Sequence, residues 1–288
     1  MTESAQSAKR IIVTGGNSGL GFHTAERLAS AGHELVLAVR NTDRGWSARQ
    51  RILARHPEAE VSVVELDLAS LASVREFASH VAETFGGWDV LINNAGVTLT
   101  ANRQFTKDRF ELQFGTNHLG HFALTGLLLP MMTDDARVVT LYSTAYRWGR
   151  IRFHDLRWDN GYTPMRAYSM SKLANLLFAR ELHRKSEREQ LPLRSIAVNP
   201  GWALAANPDA RALRRLRETM AGDVGEAAAI VAWAADDDSV PAGALVGPSG
   251  LLSIKGEPSL LPEPRIRDEE AIARRLWLYS SQLTRVSW

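Results

Sequence analysis

The segment Thr14-Gly15-Gly16-Asn17-Ser18-Gly19-Leu20-Gly21 restricts most strongly what this chain can fold into. Before it stands Arg10-Ile11-Ile12-Val13, a short apolar run that reads as a buried strand. After it comes Phe22–Ser30, where Phe22, Ala25, Leu28 and Ala29 recur with helical spacing. Strand, glycine-rich turn and helix in that order are the context a dinucleotide fingerprint requires. Glycines let the backbone turn sharply and approach a pyrophosphate, while the helix N-terminus offers free N–H groups and a positive dipole end. The spacing is Gly-x-x-x-Gly-x-Gly, not Gly-x-Gly-x-x-Gly, and a glycine-rich turn alone is often only a turn.

The rest of the chain alternates in the same way. Apolar runs predict strands over Glu34–Val39, Val61–Glu65, Val90–Asn93, Arg137–Tyr142, Arg194–Asn199 and Ala244–Val246. Helical spacing predicts helices over Thr42–Arg55, Ser70–Phe85, Asp108–Met132, Arg166–Lys185, Val224–Ala235 and residues 268–284. This pattern predicts an α/β fold, a Rossmann-type doubly wound parallel sheet of about seven strands flanked by helices. A chain of 288 residues suits one such domain, spanning 9–288 behind a flexible polar tail at 1–8.

Composition narrows the function classes. Basic and acidic residues nearly balance, 34 against 32, so nothing points to nucleic acid or to a strongly charged membrane surface. Without cysteine there is no disulfide, thiolate metal site or thiol nucleophile, which fits a reducing, cytoplasmic setting. Met1–Ala8 lacks the apolar core of a signal peptide. The most apolar stretch, Leu124–Met132, is interrupted by Gly126 and Pro130 and is far short of a membrane span. A soluble protein is expected.

A second motif is Tyr168-Ser169-Met170-Ser171-Lys172. Four residues apart, Tyr168 and Lys172 share one helix face. An ammonium near a phenol favours the phenolate and is expected to pull the tyrosine pKa down, suiting Tyr168 to exchange a proton with an alcohol/carbonyl couple. The plain alternative is a surface pair. In a doubly wound sheet, ligands bind beyond the carboxyl ends of the strands. The glycine turn, Arg40, Asp67, Asn93-Asn94, Ser143 and Pro200-Gly201 follow or end the first six strands in turn, so they are expected on one rim. Arg40 stands where an NAD site usually has a carboxylate; a guanidinium there offers bidentate bonds to a 2′-phosphate and favours NADP(H), unless it is merely a solvated strand end.

Together with Leu66-Asp67-Leu68, Asn93-Asn94-Ala95-Gly96, Asn117-His118-Leu119-Gly120-His121-Phe122 and Asn199-Pro200-Gly201, these motifs resemble the short-chain dehydrogenase/reductase family, nearest its retinol-dehydrogenase-like branch. The resemblance runs from about Lys9 to the C-terminal helix. It implies an NADP(H)-dependent alcohol dehydrogenase or carbonyl reductase acting on a small carbonyl or alcohol substrate, with Asn117, Ser143, Tyr168 and Lys172 catalytic. Tyr168 would transfer the proton, and Lys172 would lower its pKa and bind the nicotinamide ribose. Ser143 would hold the substrate oxygen, with Thr144 a rival. Asn117 would kink its helix and position a water linking Lys172 to solvent. Gly15, Asn17, Ser18, Gly19, Leu20, Gly21, Arg40, Asp67, Leu68, Asn94, Ala95, Gly96, Pro200, Gly201 and Trp202, with Tyr168 and Lys172, would bind the cofactor. Asp67 would accept from the adenine amino group; otherwise it caps the next helix, a place Ser70 fills better. The resemblance also leaves a homo-oligomer open. Some retinol dehydrogenases carry an N-terminal membrane anchor, and none is expected here.

The segment Trp202–Gly222 is expected to form a substrate lid. Its Arg211, Arg214, Arg215 and Arg217 would attract an anionic substrate or, more simply, form the solvated face of a helix. Trp202-Ala203-Leu204-Ala205 lacks the threonine that relatives commonly have near here, and Trp202 would narrow the site. His118 and His121 could face a metal together, but no third ligand of suitable spacing accompanies them. The alternative to an enzyme is a non-catalytic NADP(H)-binding sensor or scaffold of the same fold. The intact set Asn117, Ser143, Tyr168 and Lys172 argues against it.

Overall fold

In the computed structural model, which describes residues 8–201, 223–250 and 253–288, the apolar runs pair into one sheet. Its strands are β1 (Arg10–Thr14), β2 (Glu34–Val39), β3 (Val61–Glu65), β4 (Trp88–Asn93), β5 (Met132–Leu141), β6 (Leu193–Val198), β7 (Leu245–Pro248) and β8 (Pro258–Leu260). Their order is β3-β2-β1-β4-β5-β6-β7-β8, parallel throughout except for β8, which runs antiparallel to β7. Among the described residues the sheet thus has eight strands, not the expected seven or so. The extra strand is three residues long and opens on proline, too short to leave a period in the sequence.

Connecting helices are α1 (Gly19–Ser30), α2 (Thr42–Arg55), α3 (Leu71–Thr84), α4 (Leu112–Phe114), α5 (Gly120–Leu128), α6 (Pro164–Glu189), α7 (Val224–Asp236) and α8 (Glu269–Thr284). Strand residues alternate between two cores. On β1, Ile11 and Val13 join Phe22 and Leu28 of α1 and Ile230 and Val231 of α7 on one face. Ile12 points to the other, with Val74 and Phe77 of α3, Phe122 of α5 and Phe178 of α6. Both faces are covered, as parallel sheets require.

The single helix expected over Asp108–Met132 is broken into pieces. Arg109 takes a left-handed backbone (φ 68°), and the helix starts only after Glu111, whose carboxylate accepts the N–H of Gln113 and Phe114 at 3.0 and 2.8 Å. A π turn, Gly115–Leu119, separates α4 from α5, and a 3-10 turn at Leu129–Met131, holding Pro130, ends the run. Strand β5 then starts at Met132, earlier than expected, because the exposed Thr133-Asp134-Asp135 breaks the apolar pattern that marks its buried half.

Helix α8 packs on α6 and α5. Trp277 stacks on Phe178 with centroids 5.8 Å apart, and Trp288 folds back to lie 4.5 Å from Trp277 and 5.3 Å from Phe122. Gly126 makes room for it: a Cβ there would stand 2.2 Å from the Trp288 indole nitrogen. Trp288→Ala should therefore cost roughly 2–4 kcal/mol, from lost transfer energy and the cavity left behind, read as a lower urea midpoint. A loss under about 0.5 kcal/mol, the size of an ordinary surface change, would mean the tail contributes nothing to the core.

Candidate active site

The site begins where the sheet changes direction. β1 lies between β2 and β4, and the connection leaving β1 runs to β2 on one side while that leaving β4 runs to β5 on the other, which opens a crevice beyond the carboxyl ends of β1 and β4. Thr14, the last residue of β1, clasps the two strand ends together. Its Oγ1 accepts the N–H of Asn94 and of Ala95, each at 2.9 Å, and its carbonyl accepts from Asn94 Nδ2 at 2.7 Å. Gly15 follows with φ 69° and donates its N–H to Ala38 O at 2.8 Å; a Cβ there would come within 3.1 Å of Ala95 Cβ. At Gly21 a Cβ would stand 2.5 Å from both Asn94 Nδ2 and Gly15 O. The turn is thus drawn tight on its inner side.

Its outer side is open. Gly19 starts α1 at φ 52° with nothing within 4 Å of the place a Cβ would take. Ser18 is the N-cap without a side-chain capping bond, and the first turn holds no acidic residue. Free N–H groups at a positive dipole end, with room for close approach, fit a phosphate or pyrophosphate. Asn17 and Leu20 are half-buried in the same turn. Arg40 lies exposed after β2, and Asn41 caps α2 by accepting the Arg44 N–H at 2.9 Å. After β3, Asp67 accepts the Ala69 N–H at 3.1 Å and pairs with Lys107 at 3.3 Å, while Ser70 caps α3. Leu68 is buried, its carbonyl 2.5 Å from where a Gly120 Cβ would stand. Gly201 ends the rim at φ 79°, after Pro200. Trp202 and the expected lid, Trp202–Gly222, lie outside the described residues.

Tyr168, Lys172, Ser143 and Asn117 come together beside this rim. Lys172 Nζ is 5.8 Å from the centre of the Tyr168 ring. It donates to Leu141 O at 3.3 Å, a carbonyl shared with Asn175 Nδ2 at 3.0 Å. Burial pushes the Lys172 ammonium down to about 8. The Ser143 side chain acts on the Tyr168 phenol, drawing its pKa down, and caps the 3-10 turn Thr144–Trp148 by accepting the Ala145 N–H at 3.3 Å. The Tyr168 phenol departs from expectation. Burial pushes its pKa up, and the Ser143 hydrogen bond pulls only partly the other way. Desolvation penalises phenolate and ammonium alike, so here it outweighs the pull expected from Lys172.

Asn117 lies in the π turn, which supplies the expected kink. Its side chain is fully engaged. Oδ1 accepts the Val97 N–H at 2.8 Å, and Nδ2 donates to Val97 O and to Ser171 Oγ, both at 3.0 Å. It therefore holds the Asn94-Ala95-Gly96 loop against α6. The two histidines do not face one another as ligands: His118 Nε2 meets Ser280 Oγ of α8 at 2.8 Å, while the His121 ring bridges Asn117 O and Thr14. Burial pushes them down to about 3 and about 4. Among the described residues no three His, Cys, Asp or Glu side chains gather as a metal site. Thr14 and His121 are the structural partners that sequence reasoning left without a role. Their signals were the hydroxyl at the end of β1 and a spacing of four from Asn117.

A family model described as short chain dehydrogenase matches residues 9–211, more than half of the chain. The chain belongs to the short-chain dehydrogenase family. Within this oxidoreductase family it is retinol-dehydrogenase-like. It is 42% identical over 199 residues to retinol dehydrogenase 12 of Mus musculus, covering 68% of this chain and 62% of that protein. Human retinol dehydrogenase 13 is 42% identical over 198 residues, covering 68% and 59%. The chain thus spans less than two thirds of the length of these relatives. Among solved structures, an uncharacterized protein from Mycobacterium paratuberculosis superposes with a TM-score of 0.82 at 41% identity, over 97% of this chain and 94% of that one. Levodione reductase superposes at 0.64 with 25% identity, over 80% and 92%. None of the described helices is long and apolar enough to cross a membrane.

Burying the Lys172 ammonium costs stability in this short-chain dehydrogenase. Lys172→Met should raise unfolding stability at pH 7 by roughly 1–3 kcal/mol. Below about 8 the lysine is charged in folded and unfolded chains alike, so the cost is fully present. Between there and the ordinary value of 10.5 the folded form sheds its proton first, so wild-type stability climbs and the gap to the variant narrows. Urea denaturation at pH 7 and pH 9.5 measures both values. A destabilised variant, or a gap that does not change with pH, would contradict the assignment.

Proposed function

We propose that this protein is an NADP(H)-dependent oxidoreductase that interconverts a carbonyl compound and its alcohol, with Tyr168 as proton donor and acceptor. The observation carrying this reading is the buried Lys172 ammonium 5.8 Å from the centre of the Tyr168 ring, with Ser143 acting on the phenol, in a chain whose glycine turn is open on its outer side. When bound, the nicotinamide supplies or takes up the hydride at the substrate carbon. The chain's own residues handle the oxygen. A phenol held protonated by burial suits donation to a forming alkoxide, and the same group takes the proton back in the reverse direction. Ser143 donates a second hydrogen bond to the substrate oxygen and fixes it opposite Tyr168. Lys172 binds the nicotinamide ribose; its position near neutrality suits proton return to Tyr168. Asn117 keeps the loop after β4 in register with α6.

For the cofactor we assign the pyrophosphate to the turn Gly15, Asn17, Ser18, Gly19, Leu20 and Gly21. The 2′-phosphate falls to Arg40 and the adenine to Asp67 and Leu68. Asn94, Ala95, Gly96, Pro200, Gly201 and Trp202 complete the site. The exposed guanidinium of Arg40 can meet a 2′-phosphate in bidentate fashion. As substrate class we favour lipophilic aldehydes and their alcohols, on the strength of the retinol dehydrogenases among its relatives. Turnover as a carbonyl reductase in the cytoplasm is part of the same reading, resting on composition and resemblance.

NADPH oxidation with a panel including retinaldehyde, aliphatic aldehydes and ketones tests it. Tyr168→Phe should keep NADPH binding and lose turnover by about a thousandfold or more, since the ring still packs while the proton path is gone. Near-normal turnover in that variant would overturn the assignment, and NADPH binding with no turnover on any panel member would favour the sensor reading. Arg40→Asp should shift preference toward NADH by replacing attraction to the 2′-phosphate with repulsion. A wild type that binds NADH more tightly than NADPH would remove Arg40 from the site.

A further inference from the structure

His121 has two ring nitrogens with different partners, and their proton can be assigned. Nδ1 lies 2.9 Å from Asn117 O, a carbonyl that can only accept, so Nδ1 carries the hydrogen. The ring is fully enclosed and held neutral by burial, so Nε2 is left as an acceptor. Thr14 Oγ1, 2.9 Å from Nε2, must then donate to it. The hydroxyl also lies 3.1 Å from Ile92 O, but Nε2 is nearer and would otherwise be a buried acceptor without a donor. With its hydrogen committed to His121, the Thr14 hydroxyl keeps its two lone pairs for the N–H groups of Asn94 and Ala95. Every polar atom in the chain from Asn117 O through His121 to the Asn94-Ala95 backbone therefore has a partner, with the Asn94 N–H shared between Thr14 Oγ1 and Ile92 O.

We propose that His121 is a positioning residue that couples the two halves of the site, orienting the Asn117 carbonyl through Nδ1 and the cofactor clasp of Thr14, Asn94 and Ala95 through Nε2. The inference rests on the oxidoreductase reading above and deepens it. A carbonyl oxygen has two lone pairs. With one held by the His121 N–H, the Asn117 backbone is fixed within the π turn, and its side chain bonds Ser171 on α6, next to Lys172 in sequence. At the far end, orienting the Thr14 hydroxyl presents its oxygen to the loop that runs along the glycine turn. A histidine with a purely structural role would make the same two bonds, but its replacement by an aromatic ring of like size would change binding and turnover only in step with stability.

The two nitrogens can be separated by substitution. In Asn the side-chain amide reaches the position of Nδ1, and in Gln it reaches that of Nε2. His121→Phe removes both contacts and should weaken NADPH binding and lower kcat, each by about fivefold or more, the effect of one lost buried hydrogen bond. His121→Gln should lose more turnover than NADPH affinity, and His121→Asn the reverse. NADPH dissociation constants come from calorimetry, kcat from a saturating aldehyde, and Tm is measured in parallel for each variant. Opposite splitting of the two parameters in the Asn and Gln variants is the result expected; a purely structural histidine would move both together, in step with Tm. The coupling is overturned if His121→Phe folds and keeps both parameters within twofold of wild type. Should that variant not fold, parallel losses in the Asn and Gln variants overturn it. Failure of the wild type itself to turn over any carbonyl would refute the oxidoreductase reading instead, and the NADPH affinities of the three variants would still decide whether Nε2 supports the clasp.

Discussion

The architecture of the site depends on one junction, the carboxyl ends of β1 and β4 held side by side by the Thr14 hydroxyl and carbonyl. Because the chain leaves these adjacent strands in opposite directions, no connection covers the gap between them. A gap of this kind would expose unpaired backbone groups at the centre of a buried sheet. Thr14 satisfies the N–H groups of Asn94 and Ala95, and Asn94 returns a bond to Thr14 O, so the crevice is polar-lined yet rigid. From that clasp the remaining parts take their positions. The glycine turn is pressed against Ala95 and Asn94, the loop after β4 is pinned by Asn117, and Asn117 is held in a π turn that α5 and α6 flank.

Functional groups are placed by burial at some cost in stability. Lys172 lies under the rim with its ammonium desolvated, and Tyr168 is desolvated beside it, so the charged form of each is penalised. Together these shifts bring a phenol and an amine to a state in which the phenol holds its proton and the amine is close to releasing one. A proton transfer site needs groups poised this way more than it needs a stable ion pair. The cost is offset elsewhere in the fold, in the two apolar layers and in the aromatic cluster where Trp277 and Trp288 close over Phe122 and Phe178.

Much of this was legible in the sequence, for identifiable reasons. Short-range periodicity reveals buried strands, so β1 to β4, β6 and β7 could be read within a residue or two, and α2 to the residue. The spacing of four between Tyr168 and Lys172 put them on one face of α6. Alternating topology then placed six strand ends on one rim. What escaped depends on contacts distant in sequence or on environment. Strand β8 exists only because β7 offers it an edge. The π turn is set by what Gly115 to Gly120 pack against, including the Leu68 carbonyl, which no local period encodes. The direction of the Tyr168 shift follows from burial, which the spacing to Lys172 does not report. His121 was left without a role because spacing alone cannot show that its nitrogens meet Thr14 and Asn117.

The central claim is that this crevice carries hydride chemistry at a carbonyl, with the chain's own phenol supplying the proton. The most direct measurement is reduction of a simple aldehyde by the purified protein with NADPH deuterated at the nicotinamide C4, followed by mass spectrometry of the alcohol. With one face of the nicotinamide used, deuterium on that face alone should appear, as one atom per molecule, on the carbinol carbon, and should be absent when the opposite face is labelled. Alcohol formed without deuterium from either labelled cofactor, or equal transfer from both faces, would contradict an oriented nicotinamide site at this rim.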